Sequence, residues 1–536
     1  MRPLKYRSTR LQFGLVCLLG VAAGCGTFQG QIDDPERNAA GFAAESGSVS
    51  TDPVGSWDTG SSRGVLSVAG DANQLDFDGD GLSNAYESAH RSDPNRADSD
   101  ADGVDDLAES VAGTDANDPA ANPMAHGDFY FLSPFGETPR PARETLLFST
   151  TLRSADLFIL VDTTGSMQPV LSVLQERLAT RIVPDAAREI ADLRVGVGAF
   201  QDLPSAPYGD PGDVLFALMQ TPTEDSQKAQ AGVNALKLGS GGDGPEAAIP
   251  ALYALASGAG LGEFLPTAPA CTNGGTGYAC FRSGAVPIVL LVSDAQFHNG
   301  PHAENAYFDL NPLPADYAST VAALRAIHAR VISIHVASDP LGIAELDGLA
   351  PSTAAAPVVA LPPSDAAADQ MRALSRDTGA VDGSGQPLFF SVDAHATGLD
   401  ARVVDAVQAV AEQVPISVSA RLRDDPSDDV DATLLIERVE AHTTGGVGNA
   451  KQPGQICATG LATRDRNLDA VPDTFDGVRP GTPVCFDVVP RKNARVQQGN
   501  QPALYRAFID LVADDTTTLD TRSVYLLVPP SAPVLL

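Results

Sequence analysis

Leu157-Phe158-Ile159-Leu160-Val161-Asp162-Thr163-Thr164-Gly165-Ser166-Met167 decides how this chain is read. A short apolar run ends abruptly in Asp-x-Thr-x-Ser. The run predicts a buried parallel strand, and its C-terminal end presents one carboxylate and two hydroxyls. In open α/β sheets, ligands bind just outside the carboxyl ends of the strands. Oxygen donors of that kind suit a hard divalent cation. The alternative is an ordinary turn in which Asp, Thr and Ser cap a helix. Two further segments favour the metal. Pro287-Ile288-Val289-Leu290-Leu291-Val292-Ser293 is a second apolar run that ends in an acid, Asp294. Gly241-Gly242-Asp243-Gly244-Pro245-Glu246 opens an apparently helical stretch at 247–252. Three loops would then place Asp162, Thr164, Ser166, Glu246 and Asp294 around one ion. Mg²⁺ fits best, with Mn²⁺ as a substitute, because Mg²⁺ takes octahedral oxygen ligands and keeps several waters.

Runs at 157–161, 193–200, 286–293, 331–336 and 388–392 alternate with helical stretches, the last of them at about 398–413. This is the rhythm of a doubly wound, mainly parallel α/β sheet. With these blocks in order (161–167, 193–204, 241–248, 290–298, 316–326), residues 154–415 resemble a von Willebrand factor A (VWA) domain, and within that family the metal-binding domain of integrin β subunits. The resemblance implies a Rossmann-like VWA fold and an adhesion site held by Asp162, Thr164 and Ser166, with Glu246 and Asp294 in support. It also implies a neighbouring Ca²⁺ site at Asp202, Asp243, the Pro245 carbonyl and Glu246. Gly241 stands where that pattern has Asn, so one ligand of the second site is missing. A third site needs two acids soon after the Ser. Pro169 and Val170 stand there, and the third site is expected to be absent.

Two neutral hydroxyls and few carboxylates leave such a cation incompletely neutralised, and so open to an acid group from a partner. The implied function is reversible binding of a protein or other surface ligand that offers a carboxylate. The alternatives are a structural envelope or stalk protein whose metals serve folding only, and an accessory subunit that recruits an enzyme. The chain itself is not expected to be an enzyme: a metal-dependent hydrolase would need a second close metal or a general base, and the sequence offers no convincing one. Gly239-Ser240-Gly241-Gly242-Asp243-Gly244 matches GxGxxG but lies beyond the first strand–helix unit, and Asp243 would repel a pyrophosphate. His298 has no nucleophile motif beside it and reads as a packed or solvated side chain.

The 536 residues leave room for roughly two to four domains. A formal charge of −33 argues against nucleic acid and against an electrostatic membrane patch, and an acidic chain attracts Ca²⁺ instead. Residues 1–24 read as a signal peptide, with Arg2, Lys5, Arg7 and Arg10 ahead of a short apolar run. Val21-Ala22-Ala23-Gly24-Cys25 resembles a bacterial lipoprotein processing site, so Cys25 would carry lipid and anchor the chain to the membrane of a bacterial cell envelope. Ordinary cleavage and secretion is the alternative. Of the other cysteines, Cys17 leaves with the signal. Cys271, Cys280, Cys457 and Cys485 allow three pairings, of which the local ones, Cys271–Cys280 and Cys457–Cys485, are most economical. Zinc is not expected at these cysteines.

Residues 25–70 read as a flexible linker. In 71–120 two calcium loops follow one another. Asp76, Asp78, Asp80, Asn84 and Glu87 supply side-chain oxygens at loop positions 1, 3, 5, 9 and 12, with the Leu82 carbonyl at 7 and Gly81 at the sharp turn. Asp98, Asp100, Asp102, Val104, Asp106 and Glu109 repeat the pattern, with Gly103 at the turn. The pair resembles thrombospondin type 3-like repeats and predicts a spacer that folds with Ca²⁺. Residues 121–153 hold two strand-like runs, and 416–536 alternate with period two, for example Ile416, Val418, Ala420 and Leu422. By analogy with integrin β subunits, the α/β part would be inserted in an all-β sandwich. Within the β region Asp465, Asn467, Asp469, Asp473 and Asp476 outline a degraded calcium loop with Ala470 at the Gly position; an acidic surface loop is the alternative.

Overall fold

Each N-terminal acidic loop turns into a short helix, α1 (Asn84–His90) and α2 (Asp106–Ala112). Both helices stop at a left-handed residue, Arg91 and Gly113. The same turn follows each: Asp93 Oδ1 accepts from the Asn95 backbone N–H at 3.1 Å, and Asp115 Oδ1 from that of Asn117 at 3.1 Å. The repeat therefore includes its connecting turn. The computed structural model describes residues 75–122, 129–272, 274–301, 305–337, 366–427, 429–449 and 454–531. The segments expected to form a signal peptide (1–24), a lipidation site (Cys25) and a linker (25–70) lie outside the described residues.

Two strands follow, β1 (Phe129–Leu132) and β2 (Glu144–Phe148), and then the apolar run that opened the reading, now the buried strand β3 (Ser154–Asp162). β4 (Asp192–Phe200), β5 (Ala217–Thr223), β6 (Val286–Ser293), β7 (Arg330–Ala337) and β8 (Phe389–Asp393) join β3 in one sheet of order β5-β4-β3-β6-β7-β8. All neighbours are parallel except β5, which is antiparallel to β4. Sequence periodicity missed β5. Its residues are only half-buried and include Pro222, which an edge strand tolerates because one side of its ladder is unpaired.

Alternate residues of β3 feed two cores, as the two-residue period of a strand requires. Leu157, Ile159 and Val161 pack with Val170 and Leu174 of α3 (Gln168–Arg177), and with Val233 and Val407. Phe158 and Leu160 pack with Ile249, Leu252, Leu324 and Leu374. Helices therefore cover both faces. The Phe158 ring lies directly over β4, where a Cβ on Gly196 or Gly198 would come within 2.7 or 2.8 Å of it.

The remaining strands are β9 (Ile416–Asp424), β10 (Ile436–Ala441), β11 (Ala462–Arg464), β12 (Thr474–Val478), β13 (Val484–Pro490), β14 (Ala503–Ala513) and β15 (Thr517–Val528). They form two sheets, β1-β15-β14-β9-β12-β11 and β10-β13-β2. Phe475 of β12 meets Phe486 of β13 edge to face, with ring centroids 5.3 Å apart, so the two sheets share a core. β1 and β2 precede the parallel sheet in the chain, yet they pair with β15 and β13, which follow it. The economical cysteine pairing is the one formed: Cys271–Cys280 and Cys457–Cys485 are disulfides.

The two acidic repeats, expected to act as a spacer, are not held clear of this β region. Leu82, Val104, Leu107 and Val111 pack against Tyr130, Leu132, Leu504 and Leu527, with Leu82 and Leu107 fully buried. Side chains that a loop-and-helix repeat cannot bury alone are covered by the edge of the larger sheet.

Candidate functional site

The chain places β4 and β5 on one side of β3, then crosses to place β6 on the other. The reversal lies between β3 and β6, and both of these strands end in the acids singled out above. Such a switch point leaves a crevice beyond the strand ends. There Asp162 is fully buried. Its Oδ1 accepts from the Thr164 backbone N–H at 2.9 Å and from the Thr164 hydroxyl at 2.8 Å, and its Oδ2 accepts from the Ser293 hydroxyl at 2.6 Å. The Ser166 hydroxyl lies 3.5 Å from that of Thr164 and donates to Asp294 Oδ1 at 3.2 Å. Glu246 arrives through a two-way backbone tie to the β6 side: its N–H donates to the Gln296 carbonyl at 2.7 Å, and its carbonyl accepts from His298 N–H at 2.9 Å. A Cβ built on Gly241 would lie 2.6 Å from Glu246 Oε1 and 3.4 Å from the Thr164 methyl, so Glu246 reaches toward the first loop.

The electrostatics match a cation position. Burial pushes the Asp162 carboxyl up to about 6, although the Ser293 and Thr164 hydrogen bonds pull the other way. Burial pushes Glu246 up to about 10, helped by the charges of Asp162, Asp202, Asp243 and Asp213. Glu246 Oε2 is buried without a hydrogen-bond partner. Hydroxyl and carboxylate oxygens are the donor type a hard divalent ion takes, but Asp162, Glu246 and Asp294 are not among the acidic groups whose ligand atoms gather within 4.8 Å of one another among the described residues.

The glycine-rich turn is shaped by residues the sequence reading passed over. Asp213 accepts from the backbone N–H of Ser240 at 3.0 Å and of Gly241 at 3.1 Å. Gln201 donates to the Thr163 hydroxyl at 2.9 Å and to the Lys237 carbonyl at 3.2 Å. The glycines serve close backbone approach: a Cβ on Gly242 would stand 2.6 Å from the Tyr208 carbonyl oxygen.

Asp202 and Asp243, expected beside Pro245 in a Ca²⁺ site, do come together, but around His298. Its Nε2 lies 3.1 Å from Asp202 Oδ2 and 3.2 Å from Asp243 Oδ1. His298 is buried, stacks on Tyr307 at 4.2 Å between ring centroids, and is neither solvated nor merely packed. The Tyr307 hydroxyl donates to Asp202 Oδ1. The resemblance had paired Asp202 with Asp243, but nothing in the sequence joined His298 to them, since it comes from a third loop.

The two N-terminal acidic loops share one internal wiring. Position 1 accepts from the backbone N–H of positions 4 and 6: Asp76 from Gly79 and Gly81, Asp98 from Ala101 and Gly103. Asp80 and Asp102 each accept from the residue two further on, Leu82 and Val104. Position 9 is committed to the backbone of position 2: Asn84 accepts from Phe77 N–H at 3.1 Å and Asp106 from Ser99 N–H at 2.8 Å. That leaves position 9 to reach an ion through water, a common arrangement. Carboxylate oxygens of Asp76, Asp78 and Asp80 lie within 4.8 Å of one another, as do those of Asp98, Asp100 and Asp102. Glu87 and Glu109 are fully buried, and both Glu87 oxygens and Glu109 Oε2 have no partner. Burial pushes Asp80 and Glu109 up to about 8 and Glu87 to about 7, with neighbouring aspartates adding to each. These acidic clusters can hold metal ions.

The third loop copies the wiring without the closing ligand. Asp465 accepts from Leu468 and Ala470 N–H, Asn467 from Asp469, Asp469 from Val471, and Asp473 from Arg466. Ala470 adopts the left-handed conformation (φ 72°) of the glycine it replaces. Asp476 does not join the loop. It lies on β12, where Arg464 donates to both its oxygens at 3.0 and 3.1 Å and Ser417 adds a third hydrogen bond. A guanidinium has taken the carboxylate expected at position 12.

No protein-family model and no curated protein matches this sequence. Among the described residues, no helix is long and apolar enough to cross a membrane.

Proposed function

We propose that this chain is a VWA-type adhesion protein of a bacterial envelope, lipid-anchored through Cys25, which binds an acidic group on a protein or surface ligand through one Mg²⁺ or Mn²⁺. Asp162, Thr164 and Ser166 hold the ion; Glu246 and Asp294 support it. In this reading the two strand layers flanking the α/β part form the sandwich of the integrin β arrangement, and the docked repeats bind Ca²⁺. The reading is supported by the Thr164–Asp162 and Ser166–Asp294 hydrogen bonds at the β3/β6 switch point, with Ser166 exposed and Glu246 Oε2 unpartnered. Ser166 and Asp294 lie toward solvent, so an incoming carboxylate has access.

The test compares wild type with Asp162→Ala in capture from envelope extract, with Mg²⁺ and with EDTA. The reading expects capture that EDTA and the substitution both abolish, while the melting temperature of the variant stays near that of wild type. A variant that melts early, in a protein that captures nothing under any condition, would instead favour metals that serve folding alone.

A further inference from the structure

His298 is held in a way that a neutral imidazole does not satisfy. Its Nδ1 lies 2.6 Å from the Asn305 carbonyl oxygen, which only accepts, so Nδ1 carries the proton. The lone pair of a neutral ring then sits on Nε2, facing Asp202 Oδ2 at 3.1 Å and Asp243 Oδ1 at 3.2 Å. Three acceptors pointed at one spot repel unless a cation lies among them. Asp202 is completely buried, and its Oδ2 has no hydrogen-bond partner. Among the described residues no Lys or Arg pairs with Asp202, Asp243 or Glu246. A metal-bound histidine characteristically donates its other ring N–H to a backbone carbonyl, which is the arrangement at Asn305. The spacing also suits a metal. Two ligands about 2.0–2.1 Å from a tetrahedral ion stand roughly 3.3 Å apart, within a few tenths of an ångström of both His298 distances. Asp243 is partly exposed, giving an ion a way in.

We propose that His298 Nε2, Asp202 Oδ2 and Asp243 Oδ1 are ligands of a first-row transition metal ion of the Zn²⁺ class. The imidazole selects against Ca²⁺ and Mg²⁺, which prefer oxygen, and for ions that accept nitrogen. The chain then carries a borderline-soft ion beside a hard one: the site next to Asp162 differs in metal class, not just in position. This is independent of whether the Asp162 site captures a ligand.

The experiment uses the purified full chain, stripped with chelator and refilled with excess Ca²⁺ and Mg²⁺ so that the oxygen-only sites are blocked. Co²⁺ is then titrated as a spectroscopic probe, and Zn²⁺ retained after gel filtration is measured by elemental analysis. Wild type is expected to develop the visible absorption of nitrogen-ligated Co²⁺ and to keep about one Zn²⁺ per chain. His298→Gln and Asp243→Asn are expected to weaken that binding at least about tenfold. Asp243 sits on an exposed turn, so its variant remains informative if His298→Gln misfolds. Ser166→Ala is expected to lose Mg²⁺-dependent capture and keep its Zn²⁺, which separates failure of this proposal from failure of the adhesion reading. The proposal is overturned if wild type retains no Zn²⁺, or if the two ligand variants bind as wild type does; a protonated His298 then bridges the two carboxylates.

Discussion

Removing Ca²⁺ from the two docked repeats is expected to make stability fall as pH rises. Asp80 is buried beside Asp76, Asp78 and Glu87, and in the metal-free fold its carboxyl is pushed up to about 8. An acid whose folded pKa exceeds its unfolded value binds its proton more tightly in the folded state. Its stabilising contribution is whole below about pH 4 and is lost as pH climbs through 8. Between about pH 5.5 and pH 8 the unfolded carboxyl is ionised while the folded one stays largely protonated. Roughly two pH units at about 1.4 kcal/mol each give about 3 kcal/mol from Asp80 alone. Glu87 and Glu109 are raised to about 7 and 8 and act in the same direction. Bound Ca²⁺ displaces those protons, so the pH dependence should vanish and the Ca²⁺-induced gain should be larger at the higher pH. Hydrogen exchange at the amides of α1 and α2, in EGTA and in Ca²⁺ at both pH values, reads this directly, because these helices report the repeats. Metal-free protection that is flat or rises with pH would refute the reasoning. So would an equal Ca²⁺ gain at both pH values.

Leu107→Ala empties a fully buried position where the repeats meet β15 and should cost about 2–5 kcal/mol, read as early hydrogen exchange confined to α1 and α2. Gly242→Ala sets a Cβ 2.6 Å from the Tyr208 carbonyl oxygen. It should destabilise by about 1–3 kcal/mol in urea unfolding and weaken cation binding at Asp162, because Glu246 lies on the same turn. Replacing Cys457 and Cys485 with Ser opens a link between residues 28 apart and should lower stability by about 3–4 kcal/mol; an unchanged urea midpoint would count against it.

Local pattern made much of this protein legible in the sequence. Leu157–Val161 and Pro287–Ser293 could bury themselves only as central parallel strands, because each run is apolar on both faces, and each ended in the acid now found at the switch point. The twenty-two-residue step from Asp76 to Asp98 disclosed two loops, since position-specific oxygens and a glycine at the turn are local requirements. Short separations favoured the two disulfides that form. Tertiary structure alone decided what depends on approach between distant segments. The β5 edge strand has no buried face to imprint a period. Leu82 and Leu107 gave no sign of which surface would cover them. Asp476 fits the calcium pattern by spacing, but strand pairing sets it opposite Ala462, two residues from its partner Arg464. The resemblance had paired Asp202 with Asp243, but His298 lies tens of residues from both and shares no motif with them. Only the folding of three loops onto one sheet edge brings His298 Nε2 within 3.1 and 3.2 Å of Asp202 Oδ2 and Asp243 Oδ1, because that approach depends on how distant segments pack and not on local spacing.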